Sequence, residues 1–133
     1  MTITVYISQD TTAVAVGAER VATAFVQAAL NAELNYTLVR NGSRGAFGLE
    51  PLIEIEMGAQ GRLAFGPVSV ADVPSLVTAI TVGGYERHSN YLGPVSTIPW
   101  LENQTRITFK RCGEGAPTDL ANYRALGGHR GLE

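Results

Sequence analysis

Cysteine is nearly missing from this chain of 133 residues, where Cys112 stands alone. A single thiol cannot close an internal disulfide, and it cannot supply the several thiolates that an iron–sulfur cluster takes. Histidine is scarce too: His88 and His129 lie far apart and in no ligand spacing, so no metal site is expected. Lysine occurs once, at Lys110, among ten basic residues, and the net charge is only -2. Nothing in that balance attracts nucleic acid or an acidic membrane surface. Long apolar runs are also lacking. None approaches the roughly 20 residues that span a bilayer, and no basic stretch followed by an apolar core marks a signal peptide. These absences predict a cytoplasmic protein with no membrane segment and no nucleic-acid partner.

What is present is ordinary for a globular chain, with 45% hydrophobic and 17% charged residues. The length suits one domain with a real core plus an extension. Thr2 to Ile7 is β-branched and aromatic and reads as a strand. Asp10-Thr11-Thr12 offers helix caps, and Val14, Ala18, Val21, Phe25 and Ala29 recur at helical spacing. Tyr36 to Val39 reads as a second strand. Leu52 to Met57 and Arg62 to Phe65 form a hairpin around Gly58-Ala59-Gln60-Gly61. Ser69 can cap a helix beginning near Val70, with Pro74 in its first turn and Gly83-Gly84 at its end.

The order is therefore β-α-β-β-β-α, an α/β unit over residues 1–84 whose first two strands are parallel and joined by a right-handed crossover. Residues 85–133 differ in character, broken by Pro94, Pro99 and Pro117. One short helix is predicted from Pro99 through Ile107 and another from Thr118-Asp119 through Leu126. Two short helices cannot bury their apolar faces on each other alone. They need the first domain or another surface, so this stretch reads as a linker or docking arm.

The loop Asn41 to Pro51 carries the most information. Arg40 and Arg44 flank its glycines, where guanidinium groups and exposed N–H groups could hold an anion. The same residues equally suit a structural turn, with Arg44 paired to Glu50 or to another subunit. Arg40, Asn41, Ser43 and Arg44 are the candidates for a subunit contact or an anion-binding loop. Cys112, beside Lys110 and Arg111, is either a reactive thiol or a small packing residue. Glu54 and Glu56 alternate with apolar residues and read as solvated carboxylates on the polar face of the hairpin. No G-x-G-x-x-G fingerprint and no nucleophile–base pair is visible, so no catalytic residue is assigned.

In thioredoxin-like ferredoxins a strand–loop–strand of this kind carries Gly-Cys-x-Gly-x-Cys-x-x-x-Pro, whose cysteines hold half of a two-iron cluster. Here Gly42, Gly45 and Pro51 match, while the ligand positions fall on Ser43 and Phe47. Further blocks extend the likeness: Leu49-Glu50-Pro51-Leu52, Phe65-Gly66-Pro67-Val68, Ala71-Asp72-Val73-Pro74, Ile98-Pro99-Trp100-Leu101, Gln104 to Phe109 and Tyr123 to Gly128. With Val39 to Gly45 they resemble, over essentially the whole chain, the N-terminal region of the beta subunit of NAD-dependent formate dehydrogenases. That diaphorase subunit is similar to the NADH-binding flavoprotein subunit of respiratory complex I. The sequence departs from the family's usual pattern at Cys112 to Thr118.

The resemblance implies a thioredoxin-like domain that has lost its cluster cysteines, leaving Ser43 and Phe47 as vestigial ligand positions. It implies no cofactor in this chain, whereas the parent subunit carries FMN, NAD and a four-iron cluster further downstream. The partners implied are other subunits of a formate dehydrogenase complex, and the chain alone is expected to be inactive. The resemblance also implies a piece of a longer protein, with Leu132-Glu133 compatible with the family sequence or with a junction before a purification tag. Arg44→Ala is expected to weaken assembly more than folding. The alternatives are a stand-alone thioredoxin-like binding or adaptor protein and a redox protein using Cys112.

Overall fold

The computed structural model describes residues 2–132; Met1 and Glu133, the latter part of the Leu132-Glu133 end considered above, lie outside them. Five strands form one mixed sheet: β1 (Ile3–Ile7), β2 (Tyr36–Val39), β3 (Ile53–Glu56), β4 (Arg62–Phe65) and β5 (Tyr91–Pro94). Their spatial order is β2-β1-β3-β4-β5. β1 and β2 are parallel, and the other three pairings are antiparallel. The expected β-α-β-β-β-α order is present. The sheet then continues past residue 84, because Tyr91–Pro94 adds a fifth strand along the free edge of β4.

The crossover from β1 to β2 contains two helices where one was predicted: α1 (Thr11–Ala15) and α2 (Ala18–Asn31). Gly17 divides them with φ of +105°, a conformation that glycine adopts without a Cβ clash. The break changes which face turns inward. Ala13 is buried and Val14 is exposed, while Ala18, Val21, Phe25 and Ala29 keep the predicted buried stripe. α3 (Val73–Val82) starts later than predicted. The Asp72 carboxylate accepts hydrogen bonds from the Ser69 N–H (2.8 Å) and hydroxyl (2.6 Å), which closes Ser69 to Asp72 into a turn ahead of the helix.

Successive strand residues face opposite sides of the sheet. On one side Ile3, Val5, Ile7, Ile53, Ile55, Leu63 and Phe65 pack against Val21, Phe25 and Ala29 of α2 and Leu76 and Val77 of α3. The other side presents Tyr6, Glu54 and Ala64, which pair across β1, β3 and β4. There a smaller cluster of Leu52, Ala64, Val95 and Ile98 forms beneath α4 (Pro99–Glu102). α4 stops well short of the predicted Ile107. The Asn103 side-chain amide donates to the Pro99 carbonyl at 2.9 Å, and Ile107 stays exposed with no core to reward another turn. α5 (Leu120–Ala125) begins as predicted, with the Asp119 carboxylate accepting from the Asn122 N–H at 3.0 Å. No helix among the described residues is long and apolar enough to cross a membrane.

Candidate functional site

Polar side chains hold much of the loop between β2 and β3. Arg40 donates to the carbonyls of Ile7 (3.1 Å) and Ser8 (3.3 Å) and pairs with Glu19 of α2 at 2.5 Å. It therefore ties the ends of both parallel strands to the helix that connects them. The Ser43 N–H donates to Asp10 at 2.9 Å and its hydroxyl to Glu50 at 3.0 Å. Glu50 also accepts from the Leu52 N–H at 2.9 Å. Burial pushes the Glu50 carboxyl above its ordinary range, against the pull of those two hydrogen bonds, and the charges of Glu54 and Asp10 push the same way.

Arg44 is buried, and its carboxylate partners are Glu54 and Glu114, not Glu50. Its Nε and Nη2 donate to the two oxygens of Glu54 at 2.6 and 2.9 Å. Its Nη1 donates to Glu114 at 2.9 Å. Arg62 reaches the same two carboxylates, Glu54 at 3.2 Å and Glu114 at 3.6 Å. Its guanidinium also lies over the Tyr6 ring, 3.7 Å from the centroid. Burial works against the Arg44 charge, but the hydrogen bonds and charge of Glu54, then those of Glu114, outweigh it and raise its pKa. The result is a closed ring of two arginines and two glutamates.

This corrects two expectations. Glu54 is 2% exposed, not solvated, because the sheet face on which alternation places it is covered by the chain's own C-terminal stretch. Arg44 pairs with Glu54 and Glu114 and not with Glu50, so Arg44→Ala strips Glu54 of its bidentate partner inside the protein. Asn41 is likewise buried and donates to the Gly113 carbonyl at 3.0 Å. Sequence reading missed Arg62, Glu54 and Gly113-Glu114 as members of this site. The signal available for Glu54 and Arg62 was their shared place on the polar side of one hairpin.

The two positions read from the sequence as vestigial ligand positions, Ser43 and Phe47, differ in setting. Ser43 is held within the loop, while Phe47 is exposed at the start of a 3-10 turn, Phe47–Leu49. Phe47 borders a groove of about 610 Å³ with Trp100, Arg106, Ile107, Phe109 and Cys112. Cys112 is half-buried there, and its neighbour Arg111 donates to the carbonyls of Leu126 (3.1 Å) and Gly127 (2.8 Å). No group of three or more His, Cys, Asp or Glu side chains clusters to hold a metal among the described residues.

No protein-family model and no curated protein matches this sequence. Among solved structures the chain is similar to the thioredoxin-like [2Fe-2S] ferredoxin from Aquifex aeolicus. The TM-score is 0.56 at 17% identity, covering 68% of this chain and 96% of the ferredoxin. The fold is thioredoxin-like, as the strand order and the loop glycines predicted.

Proposed function

We propose that this chain is the cofactor-free N-terminal structural domain of the NADH-linked flavoprotein subunit of a cytoplasmic formate dehydrogenase complex. In that reading the parent passes electrons from formate through iron–sulfur clusters and FMN to NAD. This domain holds the subunit against its neighbours. One observation carries the reading: a ferredoxin-like scaffold keeps the frame of its cluster loop but not the ligands. Ser43 stands at one ligand position with its hydroxyl engaged by Glu50, and Phe47 stands at the other with no donor atom. A two-iron cluster needs thiolates at such positions, so it does not fit here and no electron-transfer step is assigned to the chain. The ordered sequence blocks from Val39 to Gly128 support the particular parent.

The intact mass of the product of the native gene tests this. A mass several-fold above 14.1 kDa, with FMN and formate-dependent NAD reduction in the same preparation, is the expected result. A mass near 14.1 kDa removes the parent's role. It leaves the reading as a free-standing binding or adaptor protein, which the exposed Phe47, Trp100, Ile107 and Phe109 around one groove favour.

A further inference from the structure

Beyond Leu101 no apolar side chain joins either core cluster among the described residues. Ile107, Phe109, Leu120 and Leu126 remain exposed. Polar contacts hold this strap to the sheet, and apart from Arg106, which donates to the Arg44 carbonyl at 3.1 Å, they converge on two residues. The Gly113 carbonyl accepts from Asn41 Nδ2 (3.0 Å), Arg62 Nη1 (2.8 Å) and Arg44 Nη2 (3.3 Å). The Glu114 carbonyl accepts from Arg62 Nη2 at 2.8 Å, and its carboxylate accepts from Arg44 at 2.9 Å.

Two physical features make this arrangement selective. Without Glu114, Arg44 and Arg62 face Glu54 alone, and the buried socket holds one positive charge too many. At Gly113, φ is +85°, and a Cβ there would overlap Arg44 Cγ and sit 2.9 Å from Arg44 Nε. The socket therefore reads a glycine carbonyl followed by a glutamate. Glu114 is 38% exposed at its side chain, so the occupant is reachable from solvent.

We propose that Asn41, Arg44 and Arg62 form a recognition site for an acidic Gly-Glu peptide, occupied in cis by Gly113-Glu114. The same peptide supplied in trans takes its place when the strap lifts. This does not depend on the assembly role proposed above.

The full chain carrying Gly113→Ala frees the socket, because its Cβ cannot sit against Arg44 with the strap in place, and keeps the donor residues Asn41, Arg44 and Arg62. The probe is a fluorescent synthetic peptide of residues 110–118 with Cys112→Ser. Anisotropy should show it binding the variant at least tenfold more tightly than wild type, whose socket is filled. A probe that also carries Glu114→Ala should bind the variant at least tenfold more weakly. Equal binding to wild type and variant, or equal binding of the two probes, overturns the proposal. If circular dichroism shows Gly113→Ala unfolded, full-chain Glu114→Ala takes its place with the same expectations. Failure of the probe to bind a folded variant also overturns it.

Discussion

Arg44 and Glu54 meet through two hydrogen bonds, 2.6 and 2.9 Å long, on the side of the sheet that faces away from α2 and α3. The pair is closed from above by Gly113 and Glu114, some 70 residues further along the chain. A loop, a central strand and the C-terminal strap thus share one buried set of charges. Removing one member leaves the other three with one unbalanced charge around the buried Arg44 and Glu54.

Glu54→Ala should therefore lower stability by about 3–5 kcal/mol, the usual cost of orphaning a buried charge. Urea unfolding measures it, and a loss under about 1 kcal/mol would show that the arginines find solvent instead. Arg44→Ala should cost a similar amount. Replacing Arg44, Arg62 and Glu54 together with apolar residues of similar size should recover much of the loss, since a dry packed set needs no counter-charge.

Glu50 sets a pH dependence of opposite sign to that of a salt-bridged acid. Its folded pKa lies above the ordinary value of 4.5, chiefly through burial. Between 4.5 and that higher folded value the native state binds more protons than the unfolded one. Its contribution to stability is thus full below the unfolded pKa and declines as pH rises through the folded one. Glu50→Gln should remove this decline, seen as a smaller drop in urea midpoint between pH 4 and pH 7 than in wild type. Identical drops would place the titrating group elsewhere.

Phe25 is fully buried and meets Tyr36 edge-on, with ring centroids 5.6 Å apart. Phe25→Ala should cost about 3–5 kcal/mol by cavity formation. Val14→Ala, on the exposed side of α1, should stay within about 0.5 kcal/mol. Thermal unfolding of the two variants gives the contrast. Comparable losses would mean that Val14 belongs to the core.

Asp119 caps α5 through the Asn122 N–H. Asp119→Ala should weaken that helix by about 0.5–2 kcal/mol. The effect should remain local, because Leu120, Tyr123 and Leu126 join neither core cluster. Hydrogen exchange should speed up over Leu120–Ala125 and not in β1 or β3. Uniform acceleration would show that strap and sheet unfold as one unit.

The helical faces and the strands before residue 84 were legible because each repeats a local period. Val21, Phe25 and Ala29 recur every turn, and Ile53, Ile55, Leu63 and Phe65 alternate along their strands. The loop glycines and Pro51 likewise carried the likeness to a ferredoxin scaffold, which the shared fold agrees with. The end of α4, the division at Gly17 and the fifth strand were not legible. The first and last turn on whether a distant surface is present to bury the next residue, and the division rests on a positive φ at Gly17 that helical spacing does not record.

The sequence by itself determined what this chain has little of: its one thiol falls short of the several thiolates a cluster takes, and no run reaches the roughly 20 apolar residues of a membrane-spanning helix. It also determined which strand face is apolar, since alternation is a property of neighbours. Only the tertiary structure decided what became of the other face. Glu54 reads as a solvated carboxylate in its own strand, but Gly113 and Glu114 return across the sheet and shut out water. Burial is set by everything that approaches a side chain, and spacing along the chain records only part of that.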